Sequence, residues 1–295
     1  MISIIIPVYN DRRISQCIAA LERLHWPKTD YEIIVVDNAS EPWLKPLVTA
    51  TSARYSTEPQ PGSYRARNTG MRQARGEVLA FLDADCVAAP NWLQTITTAL
   101  QQYDAVLGLA SGANQQKLAI VEQRLYEQIV AAFTAHLPLR RIDTRNFAMR
   151  RTAYEKIGGF NETLLYGGDM EYGARLHQAG VPIGYSAAMI VQHDHPTDLP
   201  SLLKKRVRQN YGNMRILEIH HQPFIQQYFP QLLRYHRSWF NTILWYSLRS
   251  YAACTFPIAQ VIITLLPLSL AFYFYKIQTA VAVRLGQLHY VYTTS

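Results

Sequence analysis

Four short apolar runs in the first part of the chain show almost no polar alternation. They lie at residues 3–8, 32–37, 77–83 and 104–109. A strand that is covered on both faces has such a continuous run, whereas a strand with one solvated face alternates. Between the runs, apolar residues recur at helical spacing. This order of buried strands and helices predicts an α/β fold with a doubly wound, mostly parallel sheet.

Acidic residues stand where two of these predicted strands end. Asp37 closes the second run, Asp83 closes the third, and Asp85 follows two positions later. In open parallel sheets, ligands bind beyond the carboxyl ends of the strands. A single Asp at such a place serves equally well as a turn residue, so it is the three together that favour a binding site.

The tripeptide Asp83-Ala84-Asp85 is the sharpest local sign of chemistry. Alternate residues of an extended segment point to one side, so two carboxylates can converge on one hard divalent cation. Mg²⁺ or Mn²⁺ bound in this way keeps positions for the oxygens of a diphosphate, and it neutralises the charge on a departing nucleotide. The bare pattern is common by chance, and the apolar strand before it gives it weight.

The formal net charge is +8, from 29 basic and 21 acidic residues. The excess lies at residues 200–249, which hold eight basic residues and one acidic residue, while residues 1–199 are nearly neutral. A nucleic-acid-binding body would itself be basic. The distribution therefore predicts no nucleic-acid partner and an anionic partner for the C-terminal segment. Three scattered cysteines predict neither a disulfide framework nor a zinc site.

Further motifs follow one another at residues 5–10, 34–40, 62–70, 81–86, 145–151, 157–162 and 167–180. With these motifs the chain resembles the family 2 glycosyltransferases, whose GT-A fold is a Rossmann-like α/β arrangement. The resemblance covers residues 1–215. It predicts a GT-A domain over 1–215. The composition of residues 216–295, basic and aromatic at first and then apolar, predicts a helical tail that associates with a membrane or packs on the body.

The resemblance implies which residues bind a nucleoside diphosphate sugar. Pro7, Tyr9 and Asn10 would lie beside the nucleobase, on the first strand-to-helix turn. Asp37 would accept hydrogen bonds from the base or the ribose, a task that suits a carboxylate. For Arg65 and Arg67, a solvated position at the surface is the alternative. The other predicted donor-binding residues are Arg65, Asn68, Asp83 and Ala84.

The resemblance also implies that Asp169 is the catalytic base. In the family, a carboxylate at a helix start takes the proton from the acceptor hydroxyl, which attacks the anomeric carbon opposite the diphosphate and inverts it. Such chemistry needs one carboxylate within hydrogen-bond reach. The alternative role is a helix N-cap. Many family members carry an acid directly before this residue, where this chain has Gly168, and Glu171 is a second candidate carboxylate for the substrate.

His193 follows another strand-like run, residues 183–192. Some members of the family place a histidine here as a further metal ligand, so His193 is predicted to join the two carboxylates in binding Mg²⁺ or Mn²⁺. An ordinary surface histidine beside a proline is the alternative. Trp92 and Phe160 either stack on an acceptor sugar or belong to the core.

Residues 250–275 contain no charge and are rich in Ile, Leu, Phe and Tyr. Such a segment is long enough to cross the roughly 30 Å apolar core of a bilayer. The basic residues before it predict a catalytic domain on the cytoplasmic face of that membrane. Docking at the membrane surface and a hydrophobic helical hairpin packed on the body are the alternatives. The basic run at 204–208 suits either a diphosphate or an anionic lipid headgroup.

Together these features predict an inverting, metal-dependent glycosyltransferase that moves a sugar from a nucleoside diphosphate sugar to an acceptor hydroxyl. The acceptor is expected to be a growing glycan or a lipid-linked saccharide, because the tail points to a membrane. A non-catalytic binding or scaffold protein would keep the fold without turnover. A sugar nucleotidyltransferase would also use paired carboxylates, but it needs a glycine-rich phosphate loop that residues 4–11 do not have.

Overall fold

The computed structural model describes residues 1–135 and 139–229, together with a part of the residues between 251 and 284. Within this part of the chain, the strands join in one eight-stranded sheet. The strands are β1 (Ile2–Val8), β2 (Tyr31–Asp37), β3 (Arg54–Thr57), β4 (Val78–Leu82), β5 (Cys86–Ala88), β6 (Ala105–Gly112), β7 (Asn146–Arg150) and β8 (Ile183–His193). The helices are α1 (Ile14–Leu21), α2 (Leu44–Thr49), α3 (Ser63–Gln73), α4 (Trp92–Ala99), α5 (Lys117–Thr134), α6 (Arg151–Ile157), α7 (Gly168–Gln178), α8 (Leu199–Met214), α9 (Ile216–Ile219) and α10 (Gln222–Tyr228).

The strand order is β3-β2-β1-β4-β7-β6-β8-β5, and the sheet is mixed. β1 pairs in parallel with β2 and β4, and β2 pairs in parallel with β3, which confirms the predicted α/β arrangement in this half. β7 lies antiparallel between β4 and β6, and β5 lies antiparallel to β8. A continuous apolar run indicates burial on both faces but carries no direction, which is why the sequence alone favoured a more uniformly parallel sheet.

The core of the parallel half centres on β1, where Ile4, Ile5 and Ile6 are fully buried. Helix α3 packs directly against this strand at Gly70. A Cβ at that position would lie 2.4 Å from the Cγ2 atom of Ile5, closer than real Cβ contacts allow. The missing side chain thus lets α3 lie close to the sheet, next to the strand ends that carry the predicted carboxylates.

A buried amide holds the other half of the sheet together. Trp92 is fully buried, and its Nε1 donates to Oδ1 of Asn146 (2.8 Å). Nδ2 of Asn146 donates to the carbonyls of Leu109 (2.9 Å) and Met189 (2.7 Å), so one side chain links α4 with β6, β7 and β8. Phe160 is also buried. Both aromatic residues therefore belong to the core and do not form a sugar-stacking surface.

The chain groups into two compact units. The first comprises Met1–Ala113 and Ala131–Asp194 and contains the whole described sheet. The second comprises Asn114–Val130 and His195–Ser295. The predicted boundary at residue 215 falls inside the second unit, and the division into domains 1–215 and 216–295 stays a prediction.

The second unit has an apolar core of its own. Next to it, the buried carboxylate of Glu122 accepts hydrogen bonds from Arg206 and from the hydroxyl of Tyr275. Burial alone would raise the pKa of Glu122, but these two partners hold that pKa below its ordinary value. The buried members of this core are Leu118, Val121, Leu199, Leu202, Leu203, Ala259, Ile263, Ala271, Tyr275 and Ala282.

Much of the predicted apolar segment 250–275 lies outside the described residues. Among its described residues, Ala259, Ile263 and Ala271 are buried in the core of the second unit. Others of similar polarity are exposed, with 54% to 78% of their surface accessible: Ile258, Val261, Leu265 and Leu270. No helix in the described part of the chain is both long enough and apolar enough to cross a membrane.

Candidate active site

The carboxylate of Asp37, at the end of β2, is buried and held from two sides. Its Oδ1 accepts a hydrogen bond from the backbone N–H of Ser40 (2.7 Å), and its Oδ2 accepts one from the hydroxyl of Tyr55 (2.5 Å). Burial and this carboxylate raise the pKa of Tyr55 to about 12. The phenol therefore stays a donor at neutral pH, and the carboxylate, which has about four acceptor positions, keeps capacity for a ligand.

The turn after β1 is tied to the turn after β2. Asn10 has a positive φ of 50°, its N–H donates to Oγ of Ser40 (3.0 Å), and its Oδ1 accepts from the N–H of Glu41 (2.8 Å). Tyr9 lies in the same turn with 67% of its surface exposed. Pro7 was predicted to lie on this turn, but it is part of β1, where it pairs with Val36, and it is partly buried. An exposed aromatic ring in a turn fixed beside a buried acceptor is suited to contact a planar base.

Asn38 connects the end of β2 with the start of α3. Its Nδ2 donates to the carbonyls of Glu58 (3.0 Å) and Gln60 (2.7 Å), and its Oδ1 accepts from the N–H of Gly62 (2.8 Å). Helix α3 begins at the next residue. This one amide therefore fixes where α3 starts relative to the strand that carries Asp37.

Asn68 of α3 is buried, and both ends of its amide contact the loop after α6. Its Oδ1 accepts from the N–H of Phe160 (2.8 Å), and its Nδ2 donates to the carbonyl of Phe160 (2.9 Å) and to Oε1 of Glu162 (2.8 Å). Arg65 forms an ion pair with Oε2 of Glu162 (3.0 Å). The structure thus places Asn68 and Arg65 as supports of this loop, and their contact with a donor stays a prediction.

Arg67 is buried beneath the end of β4 and donates from Nη2 to Oδ1 of Asp83. A guanidinium taken out of water needs an anion close by, and Asp83 supplies it. The sequence left a solvated surface position open for Arg67, and the structure excludes it. Ala84, which follows the carboxylate, is buried.

Asp85 lies beside His193, because Cys86 of β5 pairs with His193 of β8 across the sheet. Nε2 of His193 is 3.2 Å from Oδ2 of Asp85, and Nη2 of Arg13 is 3.4 Å from the same oxygen. His193 is buried, unlike an ordinary surface histidine. An imidazole nitrogen and a carboxylate oxygen this close together are a donor pair that Mn²⁺ accepts.

The described residues contain no group of three His, Cys, Asp or Glu side chains that could hold a metal ion. Asp83 accepts a hydrogen bond from Arg67, and it does not form a group of three metal-binding side chains with Asp85 and His193. Mg²⁺ and similar cations in phosphate-binding sites commonly use one or two protein ligands and complete their shell with phosphate oxygens and water. The pair fits a cation of this kind, bound together with a diphosphate.

Asp169 lies in the first turn of α7. Its Oδ1 accepts from the N–H of Met170 (3.0 Å), and the hydroxyl of Tyr64 is 3.3 Å from both Oδ1 and the backbone nitrogen. Gly167, not Asp169, occupies the N-cap position, so the N-cap alternative does not hold. Burial and the charge of Asp143 raise the pKa of Asp169 above its ordinary value, which makes it a stronger base.

Asp143 is the charged neighbour that raises the pKa of Asp169. The guanidinium of Arg145 donates hydrogen bonds to both oxygens of Asp143, from Nε to Oδ1 (3.0 Å) and from Nη2 to Oδ2 (2.5 Å). Burial alone would raise the pKa of Asp143, but the guanidinium lowers that pKa to about 2. Asp143 therefore keeps its negative charge at any pH at which the protein is expected to work, and that charge opposes ionisation of Asp169.

Glu171 has only 1% of its surface exposed, and both of its oxygens face Arg175, at 2.7 Å from Nε and 3.1 Å from Nη2. Arg175 also donates to the carbonyls of Ile157 and Gly159. The pair ties α7 to the end of α6. These contacts give Glu171 a structural function, and its contact with a substrate stays a prediction.

Three residues of this region were not singled out from the sequence. Asn38 directly follows Asp37, Tyr64 lies inside the motif at 62–70, and Asp143 stands two positions before an arginine. Each of these residues lies within or close to one of the sequence motifs. The contacts that each residue makes, however, are with residues far away in the sequence or across a turn, and the sequence alone does not reveal them. Only the folded chain brings Tyr64 to Asp169, 105 residues later.

Comparison with known proteins gives a consistent result. Residues 3–158 match the family described as Glycosyl transferase family 2. The chain is similar to glycosyltransferase AglE of Haloferax volcanii, with 31% identity over 245 residues that cover 73% of each chain. It is also similar to the probable glycosyltransferase YdaM of Bacillus subtilis, with 26% identity, over 77% of this chain and 58% of YdaM.

Solved structures show a similar fold. The mannosyltransferase PcManGT from Pyrobaculum calidifontis, in complex with GDP-Man and Mn²⁺, aligns with a TM-score of 0.71 and 18% identity, over 100% of this chain and 87% of that one. S. aureus TarS in complex with UDP-GlcNAc aligns with a TM-score of 0.53 and 16% identity, over 72% and 66%. At these identities the likeness concerns the fold, and it confirms the predicted fold class.

Proposed function

This chain belongs to glycosyl transferase family 2, and on that premise we propose that it is an inverting, metal-assisted enzyme that uses a nucleoside diphosphate sugar. The family and its named relatives make the chain a glycosyltransferase. One observation carries the finer proposal. Helix α3 contacts Asp83 through Arg67 and Asp169 through Tyr64, so it brings a diphosphate-side carboxylate and a base to one region.

For the donor, the proposal assigns the nucleoside to the ends of β1 and β2. Asp37 is a fixed acceptor for the base or ribose, and Tyr9 offers an exposed ring in the neighbouring turn, which also contains Asn10, while Pro7 lies just before that turn in β1. The class of donor is supported by solved structures of similar fold that hold GDP-Man and UDP-GlcNAc. Two different bases in similar folds leave the base of this donor open to experiment.

For the diphosphate, we assign Mg²⁺ or Mn²⁺ to Asp85 and His193, whose donor atoms lie 3.2 Å apart. A cation bound there supplies neutralisation of the charge on the departing nucleotide. Asp83 is the third predicted ligand. Because its Oδ1 already accepts from Arg67, we expect it to contribute less to metal affinity than Asp85.

For the chemical step, Asp169 acts as general base. The acceptor hydroxyl gives its proton to the Asp169 carboxylate while its oxygen forms a bond to the anomeric carbon. The bond from that carbon to the diphosphate breaks, and its electron pair leaves with the nucleoside diphosphate. Attack opposite the leaving group inverts the anomeric configuration. The raised pKa of Asp169 favours uptake of the proton.

For the acceptor, the proposal is a growing glycan or a lipid-linked saccharide, reached by contact of the second unit with a membrane whose cytoplasmic face carries the catalytic unit. The exposed aliphatic residues between 258 and 270 support that contact, since exposed apolar side chains of this size can be covered by a membrane or a protein partner. The exposed residues Lys204 and Lys205 would add attraction to anionic headgroups.

The test measures binding and turnover in the full-length protein. A thermal-shift screen of nucleotide sugars with and without Mn²⁺ should find a donor that raises Tm only when Mn²⁺ is present. With that donor, Asp169→Asn should keep the Tm shift and lose about 10²- to 10⁴-fold in release of nucleoside diphosphate. The matched control is Glu155→Gln, an exposed carboxylate of α6, which should behave as wild type.

Other outcomes would replace the proposal. Donor binding with no turnover by the wild-type protein would favour a binding or scaffold function. Release of inorganic pyrophosphate from a nucleoside triphosphate and a sugar phosphate would identify a nucleotidyltransferase. Retention of anomeric configuration in the product, measured by NMR, would contradict direct displacement.

A further inference from the structure

The hydroxyl of Tyr64 meets Asp169 at two atoms. It lies 3.3 Å from Oδ1, to which it donates, and 3.3 Å from the backbone nitrogen of Asp169, from which it accepts. Tyr64 is the second residue of α3 and is buried. A single phenol therefore fixes both the side chain and the backbone of the proposed base.

The ring of Tyr64 occupies the space that a side chain at position 168 would need. A Cβ on Gly168 would lie 2.6 Å from Cε2 of Tyr64 and 2.8 Å from its Cδ2 and Cζ atoms. Contacts of under 3.0 Å to an aromatic ring cannot be relieved by a flexible side-chain end. Tyr64 in this position and any larger residue at 168 are therefore mutually exclusive.

The ring is held in place on its other sides. Phe160 stacks on it with centroids 5.5 Å apart at an interplanar angle of 25°, and the guanidinium carbon of Arg67 lies 5.6 Å from its centroid. Phe160 is in turn fixed by Asn68 and by a stacked contact with Tyr172. The direction of the hydroxyl is thus set by packing before any substrate binds.

The electrostatic surroundings keep this phenol a donor. Burial and the charge of Asp169 raise the pKa of Tyr64 well above its ordinary value. The charged groups that act on Asp169 are Asp143, which raises its pKa, and Arg141 and Arg67, which lower it. A hydrogen bond donated to a carboxylate favours its ionised form, so the phenol counters the effect of burial on the base.

We propose that Tyr64 is a positioning residue that holds the Asp169 carboxylate for proton transfer, and that position 168 is glycine so that the Tyr64 ring can reach it. The inference rests on the proposed function of Asp169. It accounts for the departure at this position, where the resembling family often carries an acid. In this chain a neutral hydroxyl from α3 supplies the local contact to the base.

The test compares Tyr64→Phe with Tyr154→Phe, a tyrosine of α6 without a role in the site. Loss of the Tyr64 hydroxyl should lower kcat about tenfold, with the donor KM within about twofold of wild type. The acid limb of the kcat–pH profile should move to higher pH, because the ionised carboxylate loses a donor. Tyr154→Phe should change neither. In an Asp169→Asn background, Tyr64→Phe should have no further effect on kcat, since the two act as one unit.

Two outcomes would overturn the inference, and they are distinguishable. If the wild type turns over donor, Asp169→Asn does not, and Tyr64→Phe keeps the wild-type kcat and pH profile, only the positioning role is lost. If wild type and Asp169→Asn do not differ, the proposed function fails and the inference fails with it. Gly168→Ala gives an independent check. A Cβ against the ring should lower Tm and kcat when Tyr64 is present, whereas in a Tyr64→Ala background the same change should lower Tm little further. A loss of Tm of equal size in both backgrounds would contradict the steric link.

Discussion

Arg67 and Asp83 form a charge pair in which the cation is almost completely buried and the anion is not: 4% of the arginine side chain and 32% of the aspartate side chain are exposed. The guanidinium also lies near the ring of Tyr64, and its charge lowers the pKa of Asp169. One buried cation therefore contacts a predicted metal ligand and also acts on the proposed base.

Removal of that cation should affect the base from a distance. We expect Arg67→Met to lower kcat more than tenfold at pH 6 and less at pH 8, because the pKa of Asp169 rises when a neighbouring positive charge is lost. The measurement is a kcat–pH profile. Arg72→Met, at an exposed arginine of the same helix, is the control, and equal losses in both variants would contradict the assignment.

The metal assignment predicts an order among the variants. Asp85→Asn and His193→Ala should each weaken Mn²⁺ binding at least tenfold in the presence of nucleoside diphosphate, whereas Asp83→Asn should weaken it less, since Arg67 already occupies one oxygen of Asp83. Free Mn²⁺ can be followed by electron paramagnetic resonance. Asp30→Asn, at an exposed site, is the matched control. A larger effect at Asp83 than at Asp85 would reverse the assignment.

Asp143→Asn should shift the activity profile towards acid. The negative charge of Asp143 raises the pKa of Asp169. Its removal lets Asp169 ionise at lower pH, so the acid limb of the kcat–pH profile moves to lower pH.

The same variant should be less stable than the wild type at neutral pH. The depressed pKa of Asp143, about 2, means that its stabilising effect is present above its unfolded pKa and is lost as the pH falls through about 2. The variant should thus have a lower Tm at pH 7, with a gap that closes in acid.

The buried pair of the second unit gives a prediction about stability. Arg206→Met leaves the buried Glu122 without its guanidinium partner and should cost roughly 3 kcal/mol of the free energy of unfolding. The double variant Glu122→Gln/Arg206→Met should recover part of that loss, because no uncompensated charge is left. Denaturant unfolding measures both. Lys204→Met, an exposed basic residue on the same helix, should be neutral.

The proposed membrane contact can be tested on two exposed aliphatic residues. Leu265→Ser together with Val261→Ser should reduce co-sedimentation with vesicles that contain anionic lipid, since each of these residues exposes most of its surface. Leu165→Ser is a matched control, because Leu165 is equally apolar and 61% exposed but belongs to the first unit. Equal binding by all three proteins would remove the support for this surface.

The sequence predicted the part of the fold that depends on local pattern. The continuous apolar runs at 3–8, 32–37 and 77–83 are strands in a parallel arrangement, as expected. They were recognisable because a strand that is buried on both faces is apolar at nearly every position. The antiparallel placement of β7 between β4 and β6 left no such mark. Direction depends on how the chain connects its strands, and that is a property of the whole topology.

The site was predictable where one short segment carries the chemistry, as at Asp83 and Asp85. It was less so where the effect depends on a distant partner. Nothing in the sequence around Arg67 distinguishes it from a solvated arginine, because Asp83 contacts it only in the folded chain. The pairing of Glu171 with Arg175, four positions later on α7, is by contrast a local contact. The pKa of Asp169 depends on Asp143, which comes from another segment of the chain.

Helix α3 has a consequence for how this protein can vary. Tyr64 and Arg67 lie three residues apart on it, so the distance between their contacts is set by a helical rise of about 4.5 Å and by backbone hydrogen bonds. An inserted residue between them would rotate one contact away by about 100°, whereas an insertion in the exposed turn at 59–61 would leave both in register. Changes in chain length in this region should therefore be confined to the turn, and a library of insertions scored for donor turnover would show a sharp boundary at the start of the helix.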